Sequence, residues 1–122
     1  MTSVATIKKN VIEALEDIKG FDIIDLDVRK LTSITDYMII ASASSTRQTR
    51  ALANNVHDKM KDLNVEIVGI EGEGEGDWVL VDIGDIIVHI MTPTTRAYFN
   101  LEELWTKTCL LYTSDAADDF TS

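Results

Sequence analysis

Residues 77–91, DWVLVDIGDIIVHIM, constrain the fold more than any other stretch of this chain. Two alternating runs flank Gly84-Asp85, a pair suited to a two-residue hairpin turn. A turn that tight sets Ile83 opposite Ile86, Val81 opposite Val88 and Val79 opposite Ile90. That face is β-branched throughout and belongs in a core. The other face sets Asp82 opposite Ile87, Leu80 opposite His89 and Trp78 opposite Met91. It is too apolar for ordinary solvent exposure and too polar for a dry core. Such a mixture matches the centre of a protein–protein interface. The competing reading is that a helix or another part of the same chain covers it.

Around the hairpin the periodicity alternates between helix and strand. Val4, Ile7, Val11, Leu15 and Ile18 recur at helical spacing, and Gly20 supplies a stop. Residues 21–29 alternate through Ile24, Leu26 and Val28 and read as a strand. Residues 37–41 form a continuous apolar run, which predicts a strand buried on both faces. Ser45 with Gln48 three residues on forms a capping box. The helix it opens carries Leu52, Val56, Met60 and Leu63 on one side and Arg47, Arg50, Lys59 and Lys61 elsewhere, and Asn64 ends it. A strand over 65–70 and a glycine-rich loop over 71–76 lead into the hairpin. Thr92 is a fair N-cap with Pro93 in the favoured first position, and the closing helix sets Tyr98, Leu101, Leu104 and Trp105 on one stripe. The order α-β-β-α-β-β-β-α predicts an α/β domain with a single mixed β-sheet and helices packed on it.

The chain carries 21 acidic against 11 basic residues, a net charge of −10. Phosphate backbones repel such a protein, so at most peripheral contact with RNA is expected. A basic protein partner is favoured instead, attracted over about 8–10 Å at physiological salt. No apolar run approaches the roughly 20 residues that span a bilayer. The N-terminus lacks the pattern of a signal peptide, and the single Cys109 suits a reducing compartment. No membrane association and a cytoplasmic location are therefore expected.

DWVLVD, DIIVHIM, the later Arg96, Tyr98 and LEELW form one set of signatures. TSITDYMIIASASSTRQ over 32–48 forms another, a strand running into a small-residue turn and a helix carrying Arg47. In this order, from Val4 to Trp105, the chain resembles the Iojap-like ribosomal silencing factors, called RsfS in bacteria. The resemblance implies a protein that binds ribosomal protein fourteen of the large subunit, where the small subunit docks. It would thereby block subunit joining and repress translation. It also implies pairing as a homodimer, and a topology like that of nucleotidyltransferases. Relatives are usually acidic just after the hairpin, whereas Thr92, Pro93 and Thr94 stand here, so charge contacts at that point are not carried over.

The residues expected to meet the partner are Trp78, Leu80, Asp82, His89 and Met91, with Asp77 and Asp85 adding charge at the edge. Arg96 and Tyr98 either extend this patch or brace it from behind; spacing does not decide between the two. The glutamates of EGEGEGD read as a flexible, solvated connection, or as charges steering the Trp78 patch toward lysines and arginines. An enzymatic alternative rests on the turn Ala41-Ser42-Ala43-Ser44-Ser45, since phosphate often binds where a small-residue turn opens a helix. Nucleotidyltransferases follow such a turn with paired carboxylates for metal ions. Here the following strand offers only Glu66, and Asp25 and Asp27 precede the turn. His57 and His89 lack metal-ligand spacing, and no nucleophile motif surrounds a serine. No cofactor, metal or catalysis is expected. An adaptor for some other basic protein is the remaining alternative.

Residues 1–108 are expected to form the silencing-factor domain. Over 109–122 periodicity disappears, and CLLYTSDAADD resembles the translation of a transposon-type sequencing adapter. That tail reads as non-native sequence, or else as a poorly ordered extension.

Overall fold

A computed structural model of the chain describes residues 3–99. The doubtful tail, and Leu101, Leu104 and Trp105 of the expected last stripe, lie outside the described residues. Helix α1, Val4–Asp17, is capped by Ser3, whose Oγ accepts from the Thr6 amide at 3.2 Å, and it buries Ile7, Val11, Ala14 and Leu15. Its end sits where Gly20 suggested, but Lys19 takes the left-handed conformation at φ 64°. The Gly20 amide then returns to the Leu15 carbonyl at 2.8 Å, and the Lys19 amide to Glu16 at 3.0 Å. Ile18 is consequently the C-cap and stands at the surface rather than on the buried stripe.

Strand β1 spans Phe21–Asp27, two residues less than the alternation implied. The Leu31 and Thr32 amides both bond the Val28 carbonyl, so the chain turns there and tucks Val28 inward. Strand β2, Tyr37–Ser42, is buried from Met38 onward, as its apolar run required. Helix α2, Thr46–Asp62, starts at Ser45 and ends at Asn64 in the left-handed region (φ 57°), with the Val65 amide closing on Met60 at 2.8 Å. Strand β3 is only Gly69–Glu71, not the six residues expected, and Val65 and Ile67 pack against the core from outside it. The hairpin supplies β4, Trp78–Asp82, and β5, Ile86–Met91, and α3 spans Pro93–Phe99.

The five strands form one sheet in the order β1-β2-β5-β4-β3. The pair β2–β5 is parallel and the other pairs are antiparallel, so the sheet is mixed. Among the described helices, α1 and α2 bury their apolar stripes against one face of it. There Ile7, Val11, Leu15, Leu52, Val56 and Met60 meet Ile39, Val79, Val81, Ile86, Val88 and Ile90. This is the β-branched hairpin face placed in the core. The mixed face points the other way.

Candidate functional site

The hairpin closes in the register that its alternation demands. The Ile83 amide donates to the Ile86 carbonyl at 2.9 Å, and the pairs run from Asp82 opposite Ile87 to Trp78 opposite Met91. In the turn, positive φ is confined to Gly84, at 96°, the arrangement of a II′ turn with glycine in its first central position. Asp82 Oδ1 accepts the Gly84 amide at 2.8 Å. The Asp85 carbonyl accepts from Asp36 and Tyr37 at 3.1 and 3.0 Å, which ties the turn to β2 and leaves the Asp85 side chain exposed.

Parallel pairing with β2 extends the mixed face across the sheet. One row runs Leu80–His89–Ile40–Ile24, a second Asp82–Ile87–Met38–Leu26, a third Trp78–Met91–Ser42–Phe21. Burial divides this face along the strands. Met38, Ile40 and Met91 are buried with Val28 in a second apolar cluster, around which Leu26, Leu31 and Trp78 pack. Trp78, Leu80, Asp82 and Ile87 remain half-buried and accessible. Met91 is fully buried and His89 only 6% exposed, so these two support the face from within instead of presenting themselves. The cause is strand order: β5 lies in the middle of the sheet, while β4 has only the three-residue β3 beyond it.

His89 lies beneath Trp78. The indole Nε1–H donates to His89 Nδ1 at 3.0 Å, with ring centroids 5.8 Å apart and the planes tilted by 48°. Burial pushes the imidazole down to a pKa of about 4, and its buried Nε2 has no hydrogen-bond partner among the described residues. At neutral pH the ring is therefore uncharged, with its proton on Nε2, because a donor occupies Nδ1.

Arg96 and Tyr98 part company. Arg96 is buried and donates from Nη1 to the Asp22 carbonyl (2.5 Å) and to Ser42 Oγ (2.8 Å), which braces α3 against β1 and β2. Tyr98 is 82% exposed on the same helix. Ser42 and Asp22, which receive the brace, carried no signal in the sequence because each lies far along the chain from Arg96. Ile87 is the accessible apolar residue that the hairpin pattern paired correctly but did not single out.

The acidic loop is held rather than loose. Arg50 donates from Nε to the Glu73 carbonyl at 2.7 Å and from Nη2 to Gly74 at 2.9 Å, and Thr49 Oγ1 donates to the Gly76 carbonyl at 2.5 Å. At Gly72, with φ 87°, a Cβ would overlap the Trp78 carbonyl oxygen, so the loop can lie against the hairpin only with glycine there. The side chains of Glu71, Glu73, Glu75 and Asp77 are exposed. Between loop and hairpin lies a cleft of about 300 Å³ lined by Gly72, Glu75, Asp77, Trp78 and Thr95.

The features of the enzymatic alternative are engaged in structural contacts. Ser45 Oγ accepts the Gln48 amide at 3.1 Å, and Gln48 Oε1 accepts the Ser44 amide at 2.6 Å while its Nε2 donates to Ile18 O at 2.8 Å. The capping box is thus displaced by one residue, and it also ties α2 to the end of α1. Asp25 pairs with Lys8 at 3.0 Å. Asp27 pairs with Arg29 at 2.6 Å, and the hydrogen bonds from Arg29 hold its carboxyl down to about 2. His57 is exposed beside Asp58. Among the described residues no three His, Cys, Asp or Glu side chains gather as a metal site, and no helix is long and apolar enough to cross a membrane.

The chain matches the family model described as "Ribosomal silencing factor during starvation" over residues 2–121. It belongs to the ribosomal silencing factor family. A ribosomal silencing factor RsfS of Chromobacterium violaceum is 57% identical over 99 residues, which cover 81% of each chain. One from Haemophilus influenzae is 44% identical over 95 residues, covering 78% of this chain and 93% of the relative. A crystal structure of a Chromobacterium violaceum protein superposes with a TM-score of 0.84 at 53% identity, covering 86% of this chain and 88% of that one. In this member one sheet face is covered by α1 and α2, and Trp78 lies half-buried on the other.

Proposed function

We propose that this silencing factor docks through the hairpin face onto protein fourteen of the large ribosomal subunit and acts in the cytoplasm without catalysis. Its bulk would then block small-subunit joining and repress translation. The observation that carries this reading is the half-exposed surface of Trp78, Leu80, Asp82 and Ile87, bordered by the carboxylates of Glu71, Glu73, Glu75 and Asp77. Among the described residues none of those four carboxylates has a cationic partner. An apolar centre with an unneutralised acidic rim fits a basic protein surface. The names of the relatives, ribosomal silencing factor among them, support the ribosome as the target. A homodimer that buried Trp78 would compete with docking.

The test is co-sedimentation with isolated large and small ribosomal subunits. Wild-type protein is expected to pellet with large subunits alone. Folded Trp78→Ala should bind at least about thirtyfold more weakly, the loss of about 2 kcal/mol typical of a central aromatic anchor. Wild-type protein remaining in the supernatant with both subunits overturns the reading.

A further inference from the structure

We propose that His89 is a positioning residue, whose Nδ1 accepts the Trp78 indole N–H and holds that ring in the pose that a docking partner meets. The inference rests on the docking face described above and deepens it. Trp78 is a large aromatic of that face, and a tryptophan on a strand has more than one staggered rotamer. Binding would cost the entropy of selecting one of them. The 3.0 Å bond to His89, with the rings 5.8 Å apart, makes that selection in advance.

The geometry beneath the indole favours an orienting role over simple filling. His89 projects from the middle strand, with Ile40 beside it on β2 and Leu80 opposite it on β4. A leucine or methionine would fill such a place without difficulty. The imidazole instead brings a polar ring into a site where it is 6% exposed, and its buried Nε2 has no acceptor among the described residues. A buried polar atom left unpaired is a stability cost, and such costs persist where they serve function. What the ring supplies here is one acceptor, at the place where the indole N–H points.

The experiment uses the full chain and four variants. His89→Leu keeps the volume and removes the acceptor. His89→Asn places an amide oxygen near the position of Nδ1 and restores one. Trp78→Ala removes the anchor, and Trp78→Phe assigns the indole resonance. Exchange of the Trp78 indole proton with solvent is followed by NMR, thermal melting by circular dichroism, and binding by co-sedimentation with large ribosomal subunits.

The expected result is that His89→Leu melts at or above the wild-type temperature, exchanges its indole proton faster and binds about tenfold more weakly, the scale of one unrestrained side chain. His89→Asn is expected to recover slow exchange and binding together. Indole exchange in His89→Leu as slow as in wild type overturns the proposal, as does faster exchange with undiminished binding. A loss of binding that follows a fall in melting temperature, without rescue by His89→Asn, assigns His89 to packing alone and also overturns it. If Trp78→Ala binds as tightly as wild type, the docking reading itself fails and takes the role of His89 in docking with it. The exchange rates, which need no ribosome, separate that failure from a failure of the hydrogen bond.

Discussion

The neutral imidazole of His89 makes one residue responsible for part of the protein's acid sensitivity. Its pKa falls from 6.5 to about 4 through burial, so between those values the unfolded chain binds a proton that the folded chain refuses. Stability from this group is fully present above pH 6.5 and is lost as pH falls toward 4, by about 3 kcal/mol at most. Among the described residues, His89 lies in register with Ile40 on β2 and Leu80 on β4, with Ser42, Trp78, Asp82, Ile87 and Met91 at the flanking positions of that face, so Asp82 is the carboxyl among these strand neighbours. Urea denaturation of wild type and His89→Leu at pH 7.5 and 4.5 isolates the His89 share. The wild type is expected to lose more stability on acidification, and an equal loss in both would contradict the assignment. Residues close in sequence also differ in consequence. Met91→Ala removes a fully buried side chain and is expected to cost about 2–5 kcal/mol, whereas Thr94→Ala, at an exposed position on α3, should lie within about 0.5 kcal/mol of wild type. Chemical denaturation measures both.

Among the elements, the hairpin and the acidic loop were legible to different degrees. Alternation plus Gly84-Asp85 determined the hairpin register, because a period of two with a two-residue turn leaves one pairing. Ser45 and Asn64 marked the ends of α2 for equally local reasons, capping bonds between residues three to five apart. The loop looked flexible because its glycines and glutamates say nothing of Arg50 and Thr49, more than twenty residues upstream. In space those two side chains hold three of its carbonyls. Arg50→Ala is therefore expected to release the loop, seen as faster amide hydrogen exchange over residues 72–76 with the exchange of α2 unchanged. Unaltered exchange there would mean that the glycine contacts alone hold it. The short β3 has a similar origin. Its apolar residues were plain, but Val65 and Ile67 serve the core as loop residues and leave only Gly69–Glu71 to pair with β4.

At the scale of the whole molecule, the charge of −10 acts through its distribution. The exposed acids of residues 71–77 lie at the end of the hairpin beside Trp78, so they add negative field where docking is proposed. Neutralising Glu73, Glu75 and Asp77 together as Gln, Gln and Asn is expected to slow association with large subunits several-fold at low salt. Dissociation should change less, since rim charges act mainly on encounter. Stopped-flow kinetics at two ionic strengths measures this, and a salt-independent association rate would exclude steering. By itself the sequence determined the α/β class, the order of elements, the hairpin pairing and the acidic character, all of which follow from local periodicity, turn chemistry and composition. Only the tertiary structure decided which part of the mixed face meets solvent. That outcome depends on β1 and β2 flanking β5 on one side while a three-residue strand closes the sheet beyond β4 on the other. Burial of His89 and Met91, and the brace from Arg96 to Ser42 and Asp22, are contacts between segments 54 and 74 residues apart or between strands brought together by the sheet, and no local pattern encodes them.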